Sequence, residues 1–113
     1  MLHELNDELL QDALKQNAVA VIKFGAEWCG PCKAMHQPLE ELSNEMTDVY
    51  FGEVDVEEAE TATANYKIRN VPTTIIFVNG APFDKVVGGD INTLRDKIKN
   101  ALGTAAVLTT ETD

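Results

Sequence analysis

Several things are scarce in this chain of 113 residues: two cysteines, two histidines, one tryptophan and nine basic residues. Two cysteines cannot frame a disulfide-rich secreted scaffold. A stable bridge between them would restrain almost none of the unfolded chain, so they make a poor staple. Against the nine bases stand 19 acids, for a net charge of −10. That balance speaks against nucleic acid or an anionic membrane as a partner, and it keeps a small domain soluble. No apolar run approaches the ~18 residues of a membrane span. The start, Met1-Leu2-His3-Glu4-Leu5-Asn6-Asp7-Glu8, lacks a basic stretch followed by a long apolar one. A secretory signal is therefore not expected, and the expected location is cytoplasmic. There is no internal repeat, and the length suits one domain with one core.

What is present alternates between strand-like and helix-like patterns. Leu5, Leu9, Leu10, Ala13 and Leu14 have helical spacing, with Asn6 or Asp7 as a cap. A short strand can precede that helix. Residues 18–24 are almost continuously apolar, as in a strand covered on both faces. A helix is predicted over residues 31–46, with Pro38 expected to kink it, a strand over 49–56 and a short helix over 57–66. Thr73-Thr74-Ile75-Ile76-Phe77-Val78 reads as a strand, Asn79-Gly80 as a hairpin turn and residues 82–87 as the returning strand. Gly88-Gly89 ends it, and Asp90 caps a last helix through Ile91, Leu94, Ile98 and Leu102. Residues 1–102 are thus expected to form one domain and 103–113 a flexible polar tail. The order predicts an α/β fold with a central mixed sheet of four to five strands and helices on both faces.

The two cysteines lie in Trp28-Cys29-Gly30-Pro31-Cys32, directly between the apolar strand and the helix that follows. A C-x-x-C at such a junction reads as a redox motif. It is also half a zinc site, but only His3 and His36 remain as further soft ligands. No metal and no cofactor are expected beyond the cysteine pair itself.

Four blocks carry a family resemblance: Phe24-Gly25-Ala26-Glu27-Trp28-Cys29-Gly30-Pro31-Cys32-Lys33, Ile68-Arg69-Asn70-Val71-Pro72-Thr73, Asn79-Gly80 and Val87-Gly88. In this order and spacing the chain resembles bacterial-type thioredoxin over residues 1–102. The resemblance implies the thioredoxin fold and a protein-disulfide oxidoreductase. Its expected partners are thioredoxin reductase and disulfide-containing client proteins, and it is expected to be a monomer. Cys29 begins a helix, where free N–H groups and the helix dipole favour a thiolate, so it is the expected nucleophile. Cys32, one turn on and expected to be more buried, is the resolving thiol that attacks the mixed disulfide. Gly30 lets a substrate backbone approach, and Pro31 stiffens the first turn. Trp28 offers a flat docking surface, or is an ordinary core or rim aromatic. By resemblance Pro72 is cis and packs on the disulfide, presenting the Val71 backbone to substrate. Gly88, with Gly89, borders the docking groove or simply turns the chain.

Lys23 departs from the family pattern, which has a buried aspartate there. Counting back from Pro72, Glu53 falls where many bacterial members have a lysine. The expectation is a charge-exchanged pair beneath Cys32, with Glu53 taking the Cys32 proton and Lys23 supplying the opposite charge. The alternative is that Lys23 snorkels to solvent without a chemical role. Gly25 replaces a frequent tryptophan, and Pro38 stands one residue later than usual. His36 reads as an exposed helical histidine near the site. Two other functions stay open: an oxidant or isomerase of the same superfamily, and a docking subunit for which redox is incidental.

Overall fold

The computed structural model describes the backbone of residues 1–111 and the side chains of residues 1–108. The β-branched and aromatic runs form five strands: β1 (Leu2–Leu5), β2 (Val19–Gly25), β3 (Tyr50–Asp55), β4 (Thr73–Val78) and β5 (Ala81–Val87). The helices are α1 (Asp7–Gln16), α2 (Gly30–Glu45), α3 (Glu60–Asn65) and α4 (Ile91–Glu111). One sheet results, in the order β1-β3-β2-β4-β5. β1, β3 and β2 run parallel, and β4 and β5 are antiparallel to their neighbours. The short strand before the first helix is therefore real and makes the sheet five-stranded.

Alternation along the strands builds two cores, one per face. Val19, Val21, Ile76 and Val78 meet Met35, Leu39 and Leu42 of α2 and Leu94 and Ile98 of α4. Ala20, Ile22, Phe24, Ile75 and Phe77 meet Leu10 and Leu14 of α1 and Ala62 of α3. Each large side chain so buried contributes about 1.5–3 kcal/mol. β2 is central and covered on both faces, which explains its unbroken apolar run. Lys23 is the exception within it, only 4% exposed.

Local signals act largely as the pattern predicts. Asn6 caps α1 by accepting the Leu9 N–H at 2.8 Å. The β4–β5 turn has positive φ at Asn79 (50°) and Gly80 (82°), as a tight two-residue hairpin requires. Asp90 accepts the Thr93 N–H at 3.1 Å and caps α4. α2 continues through Pro38.

The expected boundary at residues 102/103 needs correction. α4 does not stop at Leu102 but runs to Glu111, with Ala101 and Ala105 packed into the α2–α4 core. Gly103 and the threonines have low helix propensity, yet the packing of Ala105 one turn beyond Ala101 overrides it. Residues 112–113 of the expected tail lie outside the described residues.

Candidate active site

The turn after β2 delivers the cysteines. β2 ends at Gly25, and residues 26–28 lead over the sheet end to Cys29, the N-cap of α2. The first N–H groups of a helix lack intrahelical partners. One of them, on Cys32, donates to Cys29 Sγ at 3.2 Å. Pro31 lies in the first turn, where its missing N–H leaves nothing unpaired. Cys29 and Cys32 are joined as a disulfide with Cα atoms 5.3 Å apart. After reduction, a thiolate at Cys29 meets both this N–H and the positive end of the helix. Among the described residues, no group of three or more His, Cys, Asp or Glu is placed to hold a metal ion.

The two cysteines differ less in burial than expected, with Cys29 5% and Cys32 3% exposed. They differ in what they face. Cys29 Sγ lies 3.8 Å from the carbonyl oxygen of Val71. The Val71–Pro72 bond is cis. The Pro72 carbonyl accepts the Gly88 N–H at 2.8 Å, and Gly88 has φ 99°, a left-handed conformation that favours glycine. Residues 71, 72 and 88 are thereby gathered beside Cys29. Ala26, Cys29, Cys32, Val56 and Val71 share a small apolar cluster. A Cβ on Gly30 would meet nothing within 4 Å, which leaves that side open to an approaching chain. Trp28 is no core aromatic: it is 70% exposed. Its indole N–H donates to the Glu57 carboxylate, a partner that nothing in the sequence singles out among the neighbouring acids.

Cys32 faces the sheet. A Cβ on Gly25 would sit 3.3 Å from Cys32 Sγ and 3.5 Å from Lys23 Cε, so both side chains lie close to this glycine. Lys23 Nζ donates to the Cys32 carbonyl at 2.8 Å and lies 3.6 Å from Glu53 Oε2. The pairing follows from register: Lys23 is opposite Glu53 across β2 and β3, so both side chains leave the same face. With its side chain 5% exposed, Lys23 does not reach solvent. The Glu53 side chain is 21% exposed and opens to the surface. His36, on α2, places Nδ1 3.6 Å from the same Glu53 oxygen, with 54% of its side chain exposed. Lys23, Cys32, His36 and Glu53 line one cleft of about 670 Å³. Thr74 pairs with Lys23 on the other side, and its buried hydroxyl has no hydrogen-bond partner among the described residues. A threonine within an apolar strand was the sequence signal for it.

Comparison with known proteins agrees with this geometry. The family model Thioredoxin matches residues 1–100. Thioredoxin-3 of Dictyostelium discoideum is 37% identical over 99 residues, covering 88% of this chain and 94% of that protein. The structure of thioredoxin F from spinach chloroplast superposes with a TM-score of 0.85 at 31% identity, over 88% of this chain and 85% of the other. Mitochondrial thioredoxin 3 of Saccharomyces cerevisiae gives 0.82 at 32% identity, over 88% and 94%. A disulfide closed at a helix start beside a cis proline, on a five-stranded sheet shared with these relatives, does one kind of chemistry. The chain belongs to the thioredoxin family and is a thiol–disulfide oxidoreductase that exchanges through Cys29 and Cys32.

Proposed function

We propose that the chain works as a monomeric reductant of protein disulfides, is re-reduced by a thioredoxin-reductase partner, and uses Glu53 and Lys23 to manage the Cys32 proton. The working compartment in this reading is the cytoplasm, which is reducing; the spinach and yeast relatives are described as chloroplast and mitochondrial.

In this reading the Cys29 thiolate attacks one sulfur of a client disulfide, and the other client sulfur leaves as a thiolate. Trp28, Gly30, Pro31, Val71, Pro72 and Gly88 form the surface on which the client segment docks. Cys32 then loses its proton to Glu53, directly or through one water, and attacks Cys29 Sγ. The second client thiolate leaves, and the protein is left oxidised. The balance is two electrons to the client and one proton from Cys32. Lys23 holds the chain at Cys32 through its carbonyl and sets a positive charge beside the ionising thiol.

The observation that carries this reading is the position of Lys23 Nζ, shared between the Cys32 carbonyl at 2.8 Å and Glu53 at 3.6 Å. Ellman's reagent tests it, because each of its two thiolates reports one step. The first is released by Cys29, the second by attack of Cys32. The double variant Lys23→Met, Glu53→Gln removes both charges without stranding either one. Its first release should be unchanged. Its second should slow at pH 7 by at most about 30-fold, because a thiol with an ordinary pKa near 8.5 is only a few per cent ionised there. The loss should shrink as pH rises, because ionisation of the thiol then needs less help. A second release with unaltered rate and pH profile would sink the proposed role of the pair. Reduction of insulin disulfides by the native chain with a thiol donor checks the direction of the chemistry. The docking-subunit reading predicts that Cys29→Ser keeps full function.

A further inference from the structure

The proton that Glu53 accepts has to leave, and Glu53 is itself only 21% exposed. One oxygen of Glu53, Oε2, has two nitrogen neighbours at the same distance of 3.6 Å. Lys23 Nζ belongs to a buried side chain, and His36 Nδ1 to an exposed one. The histidine is 54% exposed, so the ring that presents Nδ1 to Glu53 also reaches water. An imidazole is suited to this place, because one nitrogen can take a proton while the other gives one up. At 3.6 Å the contact is longer than a hydrogen bond, so it closes either by a small shift or through one bridging water.

We propose that His36 is a positioning and relay residue for the resolving step, passing the Cys32 proton from Glu53 to solvent. The inference rests on the role proposed above for Glu53. As Cys32 ionises, its proton moves to the Glu53 carboxylate. Neutral His36 accepts it at Nδ1 and releases a proton from Nε2 to water. The disulfide then forms, and Glu53 is again a carboxylate. When the protein is re-reduced, a proton enters along the same route to the Cys32 thiolate. No electrons pass through His36, and one proton crosses in each direction per turnover.

The surroundings fit a ring that carries a transient positive charge. Around the cleft, Glu4 comes from β1, Glu27 from the turn before α2, and Asp55 and Glu58 from the end of β3 and beyond. Among the described residues that line the cleft, the lysines are Lys23 and Lys33. Among the described residues that line the cleft, His36 is the single imidazole. The backbone of α2 fixes its place: His36 lies four residues after Cys32, one helical turn along the same face. The resolving thiol and its exit are thus carried on one helix.

The same reagent tests the relay, with chemical rescue as the deciding readout. His36→Ala opens a gap at a half-exposed site and should fold normally. Its first thiolate release should match the native rate. Its second should be slower at pH 7 by about 3- to 10-fold, a fraction of the gain that base assistance can give. Added imidazole should restore the second release in proportion to its concentration, and leave the native chain unaffected. If His36→Ala keeps the native rate while the Lys23→Met, Glu53→Gln variant is slow, the relay is wrong and the Glu53 reading stands. A slow His36→Ala that imidazole does not restore also overturns the relay, because the loss is then structural. If neither variant slows, the Glu53 role fails and the relay fails with it.

Discussion

Gly25 sets how closely the sheet approaches Cys32. A methyl group there would lie 3.3 Å from Cys32 Sγ and 3.4 Å from its Cβ. The disulfide and the start of α2 would have to give by a few tenths of an ångström. Gly25→Ala is therefore expected to destabilise the oxidised protein by about 1 kcal/mol, the lower end of overpacking costs. A denaturant midpoint equal to that of the native protein would show that α2 yields freely. Glu53→Gln alone poses a different question. It strands the Lys23 ammonium, whose charge then favours a thiolate at Cys32. The reduced form gains, so the reduction potential should become less negative, by about 30 mV for each 1.4 kcal/mol of added stabilisation. Equilibration against a glutathione or dithiothreitol couple measures it, and an unmoved potential would mean that Lys23 does not act on the sulfur. Lys23 and Glu53 were legible in the sequence, because a lysine inside an apolar strand is conspicuous and Pro72 fixes the count back to position 53. The Trp28–Glu57 bond was not legible, since Glu57 is one acid in a run of acids and only the fold chooses between them.

At the scale of elements, the strands and most helix ends could be read, because their signals are local: alternation, Asn6, Asn79-Gly80 and Asp90. The start of α3 could not. It follows Ala59, which has no side-chain acceptor to serve as a cap. The cap comes from another helix. Asp7, in the first turn of α1, accepts the Ala62 N–H at 2.8 Å and the Thr61 N–H at 3.3 Å. In sequence Asp7 looks like an alternative cap for α1, and only the packing of α1 beside α3 gives it this second task. A helix of six residues cannot hold itself together in water, so this contact matters more than its exposure suggests. Asp7→Ala should cost about 1–2 kcal/mol, the usual cost of a lost cap, and amide exchange should quicken first in α3. Asp7→Asn should retain much of the stability, because its carbonyl oxygen still accepts. Uniform quickening across all helices would argue against a cap specific to α3. The end of α4 was hidden for a related reason. Gly103 and the threonines predict an end there, and only the buried seat of Ala105 supplies the counterweight.

For the molecule as a whole, charge governs stability in two opposed ways that separate along the pH axis. With a net charge of −10, the folded chain repels itself near neutrality. Moderate acidification reduces that charge and should stabilise the fold. Specific carboxylates act in the other direction at lower pH. Burial pushes the Asp84 carboxyl up, but the Lys85 N–H and the Lys97 ammonium outweigh it and hold it below its ordinary value. The backbone N–H and hydroxyl of Thr93 do the same for Asp90 at the start of α4. A group held low in the folded state adds stability above its unfolded value, near about 3.9, and loses it as pH falls through the folded value. Stability is therefore expected to rise modestly from pH 7 to about 5, and then to fall below about 4 as these aspartates take up protons. Salt distinguishes the two regimes. At about 1 M, screening acts over ~3 Å, so it removes the diffuse repulsion while largely sparing direct contacts such as the Asp90 cap. The urea midpoint at pH 7 should therefore climb with salt, and the gain should shrink as the net charge is titrated away. A midpoint at pH 7 that ignores salt would show that the acids are too dispersed to oppose folding, and the rise toward pH 5 should then be absent as well.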